Sequence, residues 1–171
     1  MLNRIRINIC GSITLAALFL TLFSASPVRA VEIGAEPPAL TLSDLAGETV
    51  QLDDYRGRLI ILKFATTWCS GCIRQVKEFA KIETFLVDND IVLIEVFVDQ
   101  EPEGAVRDYL QQRDFSLPSI TLLDDGSAVR TYRLLGLPWV LLIDRDFKVV
   151  RERGLISGAD LQKQLQMLLH R

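Results

Sequence analysis

One near-continuous apolar run, Leu59-Ile60-Ile61-Leu62-Lys63-Phe64-Ala65, leads almost directly into Trp68-Cys69-Ser70-Gly71-Cys72. Behind the second cysteine a helical pattern begins, Ile73-Arg74-Gln75-Val76-Lys77-Glu78-Phe79-Ala80. A run this apolar suits a strand buried on both faces, which requires a sheet covered by helices above and below. A strand that delivers two cysteines, two residues apart, to a helix start can make one sulfur a thiolate and hold the other within disulfide reach. The pattern therefore points to both an architecture and a chemistry.

The rest of the chain supplies the partners of that strand. Ile91–Val98 reads as a second buried strand, parallel to the first. The intervening helix is expected from Cys72 to about Val87, with Val76, Phe79, Ala80 and Leu86 facing inward. Ala39–Leu42 and Thr49–Leu52 alternate around Gly47 and read as an N-terminal hairpin. Pro102 can open a helix running to about Arg113, with Val106, Tyr109 and Leu110 turned in. A short strand is expected at Ser119–Leu123, a turn at Asp125-Gly126, and a short helix through Thr131-Tyr132-Arg133. Trp139–Asp144 and Lys148–Gly154 are separated by a turn too short for a crossover and must be antiparallel. Ser157 to Asp160 has capping-box spacing and opens a last helix with Leu161, Leu165, Leu168 and Leu169 on one face.

The first thirty residues differ in kind. Arg4 and Arg6 precede an uncharged stretch, Ile7–Pro27, with its most apolar part at Ile13–Phe23 and small residues around a cut after Ala30. That is the grammar of a secretory signal. The alternative is an uncleaved membrane anchor, although the apolar core is shorter than the roughly 20 residues a span needs. The mature chain would be a single domain over residues 31–171. Cleavage takes the 19 basic residues to 16 against 22 acidic ones, and the net charge from −3 to −6. An acidic domain of this kind has no footprint for nucleic acid or anionic lipid. Cleavage also removes Cys10, which lacks the context of a lipid-attachment cysteine, and leaves Cys69 and Cys72 as the only pair. One pair is not a disulfide scaffold. With His170 as the only other soft ligand, a structural zinc site is excluded for a monomer. No cofactor and no metal is expected beyond a redox-active Cys69–Cys72 disulfide.

Cys69 precedes the first helical turn, where free N–H groups favour an anion, and is the expected nucleophile. Cys72, one turn in, should be buried and act as the resolving thiol. In this order and spacing the motifs resemble the thioredoxin superfamily. More narrowly they resemble the exported thioredoxin-like proteins of the TlpA type, which serve cytochrome c maturation and periplasmic thiol reduction. The resemblance runs from about Glu36 to the C-terminus. It is carried by the hairpin, by Ala65-Thr66-Thr67-Trp68-Cys69-Ser70-Gly71-Cys72, by an added helix–strand piece after the second core strand, and by Leu135-Gly136-Leu137-Pro138-Trp139 leading into Val140–Asp144.

The resemblance implies an α/β thioredoxin fold: three layers, a mixed central sheet, an N-terminal hairpin and a helix–strand insertion. It also implies that Pro138 is cis and packs against the disulfide, forming a substrate-binding edge with Leu137 and Trp68. Leu137 stands where many relatives have Thr or Val, and Trp68 could equally be core. Ser70-Gly71 replaces the proline-containing dipeptide of many relatives, and Gln75 replaces a glutamate common in the cytochrome branch.

Lys63 and Glu95 are lone charges inside apolar strands, and buried charges are normally paired. In thioredoxin the position six before the first cysteine carries a buried acid faced by a lysine. Aligning Asp99 with the strand-ending acid of the family puts Glu95 at that lysine position, so the pair would be present with its charges exchanged. The expectation is a buried Lys63–Glu95 pair beneath Cys72, with Glu95 accepting and returning the Cys72 proton. A purely structural pair is the alternative.

The activity expected is thiol–disulfide exchange, reducing protein disulfides outside the cytoplasm with electrons from a membrane donor, as a monomer. No room exists between Cys72 and Pro138 for the large helical insertion usual in oxidases of this superfamily. Two alternatives use the same thiols. A peroxiredoxin-like peroxidase would exploit Thr66, three before Cys69, although Leu62 occupies the place of its proline. A Cu(I) or haem carrier would need a wider cysteine spacing and a placed histidine.

Overall fold

The computed structural model describes residues 31–170. The signal or anchor read at residues 1–30, Cys10 included, lies outside the described residues. One sheet of seven strands forms the middle layer: β1 (Thr41–Asp44), β2 (Thr49–Gln51), β3 (Ile60–Ala65), β4 (Val92–Phe97), β5 (Ile120–Leu123), β6 (Trp139–Ile143) and β7 (Val149–Arg153). Their order is β2-β1-β5-β4-β3-β6-β7. The helices are α1 (Ser70–Ala80), α2 (Glu83–Asp88), α3 (Glu103–Gln111), α4 (Ser127–Tyr132) and α5 (Gly158–Leu169). A 3₁₀ turn at Leu52–Tyr55 follows the hairpin.

β3 and β4 are wholly buried and parallel, as their unbroken apolar character requires. β6 runs antiparallel to β3 and β7 antiparallel to β6. The expected hairpin forms, and β1 also joins β5, so the hairpin extends the sheet beyond the inserted strand. This is a mixed sheet in the thioredoxin fold.

Strand alternation divides the core. Ile60, Leu62 and Phe64 point to one side, with Leu40, Leu52, Tyr132 and Phe147. Leu59 and Ile61 point to the other, against Phe79, Ile82, Leu86, Leu161 and Leu165. Both crossovers, β3 to β4 and β4 to β5, step in the same direction along the sheet. Right-handed connections therefore put α1, α2 and α3 on one face, and α5 joins them against α1. α4 covers the opposite face.

The helix expected from Cys72 to Val87 is two helices. α1 ends at Ala80, Ile82 leaves the helical region, and α2 restarts at Glu83. The break turns Ile82 and Leu86 into the core together, at 6% and 2% exposure. No glycine or proline marks it in the sequence. α3 is shorter than expected and stops at Gln111, so Arg113 lies beyond its end.

Candidate active site

β3 ends at Ala65 and the chain turns through Thr66-Thr67-Trp68 into α1. Cys69 is the N-cap of α1, with extended backbone, and its Sγ accepts the Cys72 N–H at 3.1 Å. The sulfur thus occupies the place a capping oxygen would take, where the orphan N–H groups and the helix dipole favour negative charge. Cys69 and Cys72 form a disulfide, with Cα atoms 5.2 Å apart. Cys69 is half-buried and opens to a groove, whereas Cys72 is fully buried. The asymmetry is chemical: an external sulfur can approach Cys69 and not Cys72.

The groove has a volume of about 730 Å³. Its far wall is the loop between α4 and β6, where Leu137–Pro138 is cis. Pro138 abuts the redox motif. A Cβ added at Gly71 would stand 3.0 Å from Pro138 Cδ, 3.8 Å from Cys69 Sγ and 3.8 Å from the Leu137 carbonyl oxygen. Gly71 is therefore the residue that lets the proline loop sit on the motif. Gly154 and Leu155 form a third wall. Trp68 is 70% exposed at the rim, which removes the reading of it as core.

Two polar clasps hold this site, and the sequence did not reveal them as such. Glu101, from the β4–α3 loop, accepts the Thr67 N–H at 2.9 Å and its hydroxyl at 2.6 Å, fixing the turn that carries Trp68. Asp99 and Gln100 just before it both adopt positive φ, 63° and 53°. That is a rare pair of left-handed non-glycine residues, and it aims Glu101 across. Gln75, one turn beyond Cys72 and fully buried, donates to the Ile156 carbonyl at 3.0 Å and accepts its N–H at 2.7 Å. An amide satisfies both backbone groups of one residue, which a carboxylate cannot do. Gly158 N–H then donates to Glu78 at 2.9 Å, so the β7–α5 loop is tied twice to α1.

Lys63 and Glu95 stand directly opposite each other in the parallel β3–β4 register, both fully buried, with Nζ to Oε2 at 2.7 Å. They share the sheet face of Ile61 and Leu93, the one α1 covers. Glu95 also accepts a two-pronged bond from Arg113 (2.9 and 3.1 Å) and the Ser119 hydroxyl at 3.0 Å. Arg113 stacks on Tyr109, which packs edge-on to Phe97. Burial alone would raise the Glu95 carboxyl. The charges and hydrogen bonds of Lys63 and Arg113 outweigh it and push Glu95 down to about 2. Lys63 moves down from its ordinary range: burial disfavours its ammonium, and Arg113 repels it while Glu95 attracts. Glu95 has two cations and stays ionised, while Lys63 shares one anion with a second cation.

Thr66 is fully buried and its hydroxyl has no hydrogen-bond partner, so it does not face the groove as the peroxidase alternative requires. Among the described residues no cluster of three metal-ligating side chains occurs. No helix among them is long and apolar enough to cross a membrane.

A thioredoxin fold that presents a half-exposed cysteine at a helix N-terminus, backed by a buried partner, defines a thiol–disulfide oxidoreductase. The chain belongs to the AhpC/TSA family, whose model matches residues 33–157. It is 30% identical over 139 residues to the thiol-disulfide oxidoreductase ResA of Bacillus thuringiensis, covering 81% of this chain and 78% of that protein. It is 28% identical over 157 residues to the ResA of Geobacillus thermodenitrificans, covering 90% and 89%. A thiol:disulfide interchange protein of the thioredoxin family from Chlorobium tepidum superposes with a TM-score of 0.69 at 18% identity, over 82% of this chain and 99% of that one, and shows the fold.

Proposed function

We propose that this enzyme reduces disulfides of other polypeptides outside the cytoplasm, as a monomer, with no cofactor beyond its own cysteine pair. The observation that carries the reading is the asymmetry of the pair: Cys69 capped by the Cys72 N–H and open to the groove, Cys72 sealed beneath it. In the reduced enzyme the Cys69 thiolate attacks one sulfur of a substrate disulfide. The other substrate sulfur leaves and takes up a proton. Cys72, once deprotonated, attacks Cys69 Sγ, releases the second substrate thiol and closes the enzyme disulfide. Two electrons have passed to the substrate, and a thiol donor, proposed to be membrane-bound, must return them.

Trp68, Leu137 and the cis Pro138 flank the attacking sulfur and are proposed to hold the substrate chain. The Cys72 proton is assigned to the Lys63–Glu95 pair acting together. Glu95, with four hydrogen bonds and a carboxyl near 2, anchors the pair. Lys63, whose ammonium is disfavoured by burial, is the counter-charge that Glu95 holds in place. Export is supported by the charged, apolar and small-residue segments of residues 1–30.

Trapping tests the function. Cys72→Ser in the native host should accumulate mixed disulfides at Cys69 that reductant releases, and Cys69→Ser/Cys72→Ser should accumulate none. Failure of the single variant to trap any polypeptide, with a wild-type enzyme inactive on disulfides, would remove the reading. For the proton role, Lys63→Met should shift the pH profile of disulfide reduction. An unchanged profile in a folded variant would leave the pair purely structural.

A further inference from the structure

Six large apolar side chains are exposed among the described residues, and two of them, Trp68 and Leu155, line the Cys69 groove. Leu137, from the loop that carries the cis Pro138, adds a partly buried apolar wall. They come from three separate segments: the turn before α1, the α4–β6 loop and the β7–α5 loop. Scattered exposed apolar residues are ordinary, whereas apolar side chains from three segments lining one groove beside a reactive sulfur mark a contact surface. The surface is also preformed. Glu101 holds the Trp68 turn, and Gln75 clamps the backbone next to Leu155. Little ordering is left to be done on binding.

Charge completes the description. Arg74, exposed and one turn into α1, is the only charged side chain lining this groove among the described residues. Elsewhere on the protein, Arg56, Arg58, Lys81, Arg107 and Lys148 sit in ion pairs. Arg74 forms none among the described residues. In a chain of net charge −3, one unengaged guanidinium beside the attacking sulfur complements an anion brought by the substrate.

We propose that the substrate is an extended polypeptide segment whose disulfide-bonded cysteine is flanked by large apolar residues, with an acidic residue within reach of Arg74. The inference rests on the thiol–disulfide reading above and adds the recognition to it. The apolar flanks lie on Trp68, Leu137 and Leu155, and the acid meets Arg74 near the start of α1.

The test uses the reduced protein and short peptides, each with one cysteine capped as a disulfide with a neutral small thiol. In each reaction the enzyme pair is oxidised to its disulfide, and the peptide and cap are released as thiols. Flanks vary as Leu against Ser and Asp against Lys. Second-order rate constants are expected to favour apolar over polar flanks by about tenfold, and acidic over basic flanks by about fivefold at low salt, shrinking at high salt. Arg74→Glu should invert the acid–base ratio and Arg74→Lys should keep it. Because each ratio is taken within one variant, a change in overall rate does not disturb it. Equal rates across the panel, with the small capped disulfide also reduced, would overturn the inference and leave the oxidoreductase reading intact. An acidic preference that survives Arg74→Glu would overturn the role of Arg74. A wild-type protein that reduces neither peptides nor the small disulfide would overturn both readings.

Discussion

Glu95→Gln removes the anion that two buried cations share. Lys63 is fully buried and the Arg113 side chain is 7% exposed, so neither can turn to water. Breaking a buried pair from one side costs about 3–5 kcal/mol, because an uncompensated charge remains. Here two remain, which places the variant near the upper end of that range. A domain of this size has about 5–15 kcal/mol in all. Lys63→Met is a different perturbation at the same site. Methionine is close in volume, and Glu95 keeps the Arg113 fork and the Ser119 hydroxyl. The expected change is within about 1 kcal/mol. Urea unfolding of the oxidised protein at neutral pH measures both, with unchanged m-values as the condition for comparison. A Glu95→Gln cost under about 1 kcal/mol would refute the reasoning, as would a Lys63→Met cost equal to it.

The same cluster sets a pH dependence. The Glu95 carboxyl lies at about 2 in the folded chain against an ordinary 4.5. A depressed acid stabilises the folded state above its unfolded pKa. That contribution, about 3 kcal/mol, is lost as pH falls from 4.5 toward 2. Lys63 has the opposite sense, its folded pKa lying below the ordinary 10.5. Its destabilising contribution is present at neutral pH and is relieved as pH rises toward 10.5. Glu95→Gln should lack the acid limb, and Lys63→Met the alkaline one.

Other consequences follow from the clasps. Gln75→Glu keeps an acceptor for the Ile156 N–H but sets a carboxylate against the Ile156 carbonyl. It should cost about 1–3 kcal/mol at pH 8 and less at pH 5, where a protonated acid can donate again, as paired thermal unfolding would show. Gly158→Ala places a Cβ 2.6 Å from the Glu78 carbonyl oxygen. It should lower stability by about 1–3 kcal/mol, and an unchanged melting temperature would mean that α1 and α5 separate freely. Glu101→Ala frees the Thr67 turn and should cost about 1–2 kcal/mol while slowing disulfide reduction, with Trp68 emission reporting the loosened turn.

Much of the site is legible along the chain, for reasons that can be named. β3 and β4 declare themselves because strands buried on both faces need no polar alternation. Lys63 and Glu95 stand out against that background, and the cost of a buried charge requires that they meet, as they do. The cysteine asymmetry follows from two residues at a helix start. Arg113 and Ser119 were not legible as partners of Glu95. They lie beyond the end of α3 and just before β5, in segments whose sequence carries no period to place them. Gln75 stands out in the sequence only as the replacement of a glutamate, whereas its structural role depends on the backbone of a residue 81 positions away. The break at Ile82 was equally hidden, since no glycine or proline marks it.

The sequence by itself determined the chemistry and the frame: a sheet buried between helices, two thiols at a helix N-terminus, and a pair of charges that had to be joined. These follow from local periodicity and from penalties large enough to leave one outcome. Tertiary structure alone decided what surrounds Cys69. The hairpin's attachment to β5, Gly71 beneath Pro138, the Gln75 and Glu101 clasps, and the meeting of Trp68, Leu137, Leu155 and Arg74 all join segments far apart in the chain. Each such contact is worth only a kilocalorie or so, too little to read from either partner, and only the closed fold brings the partners within reach.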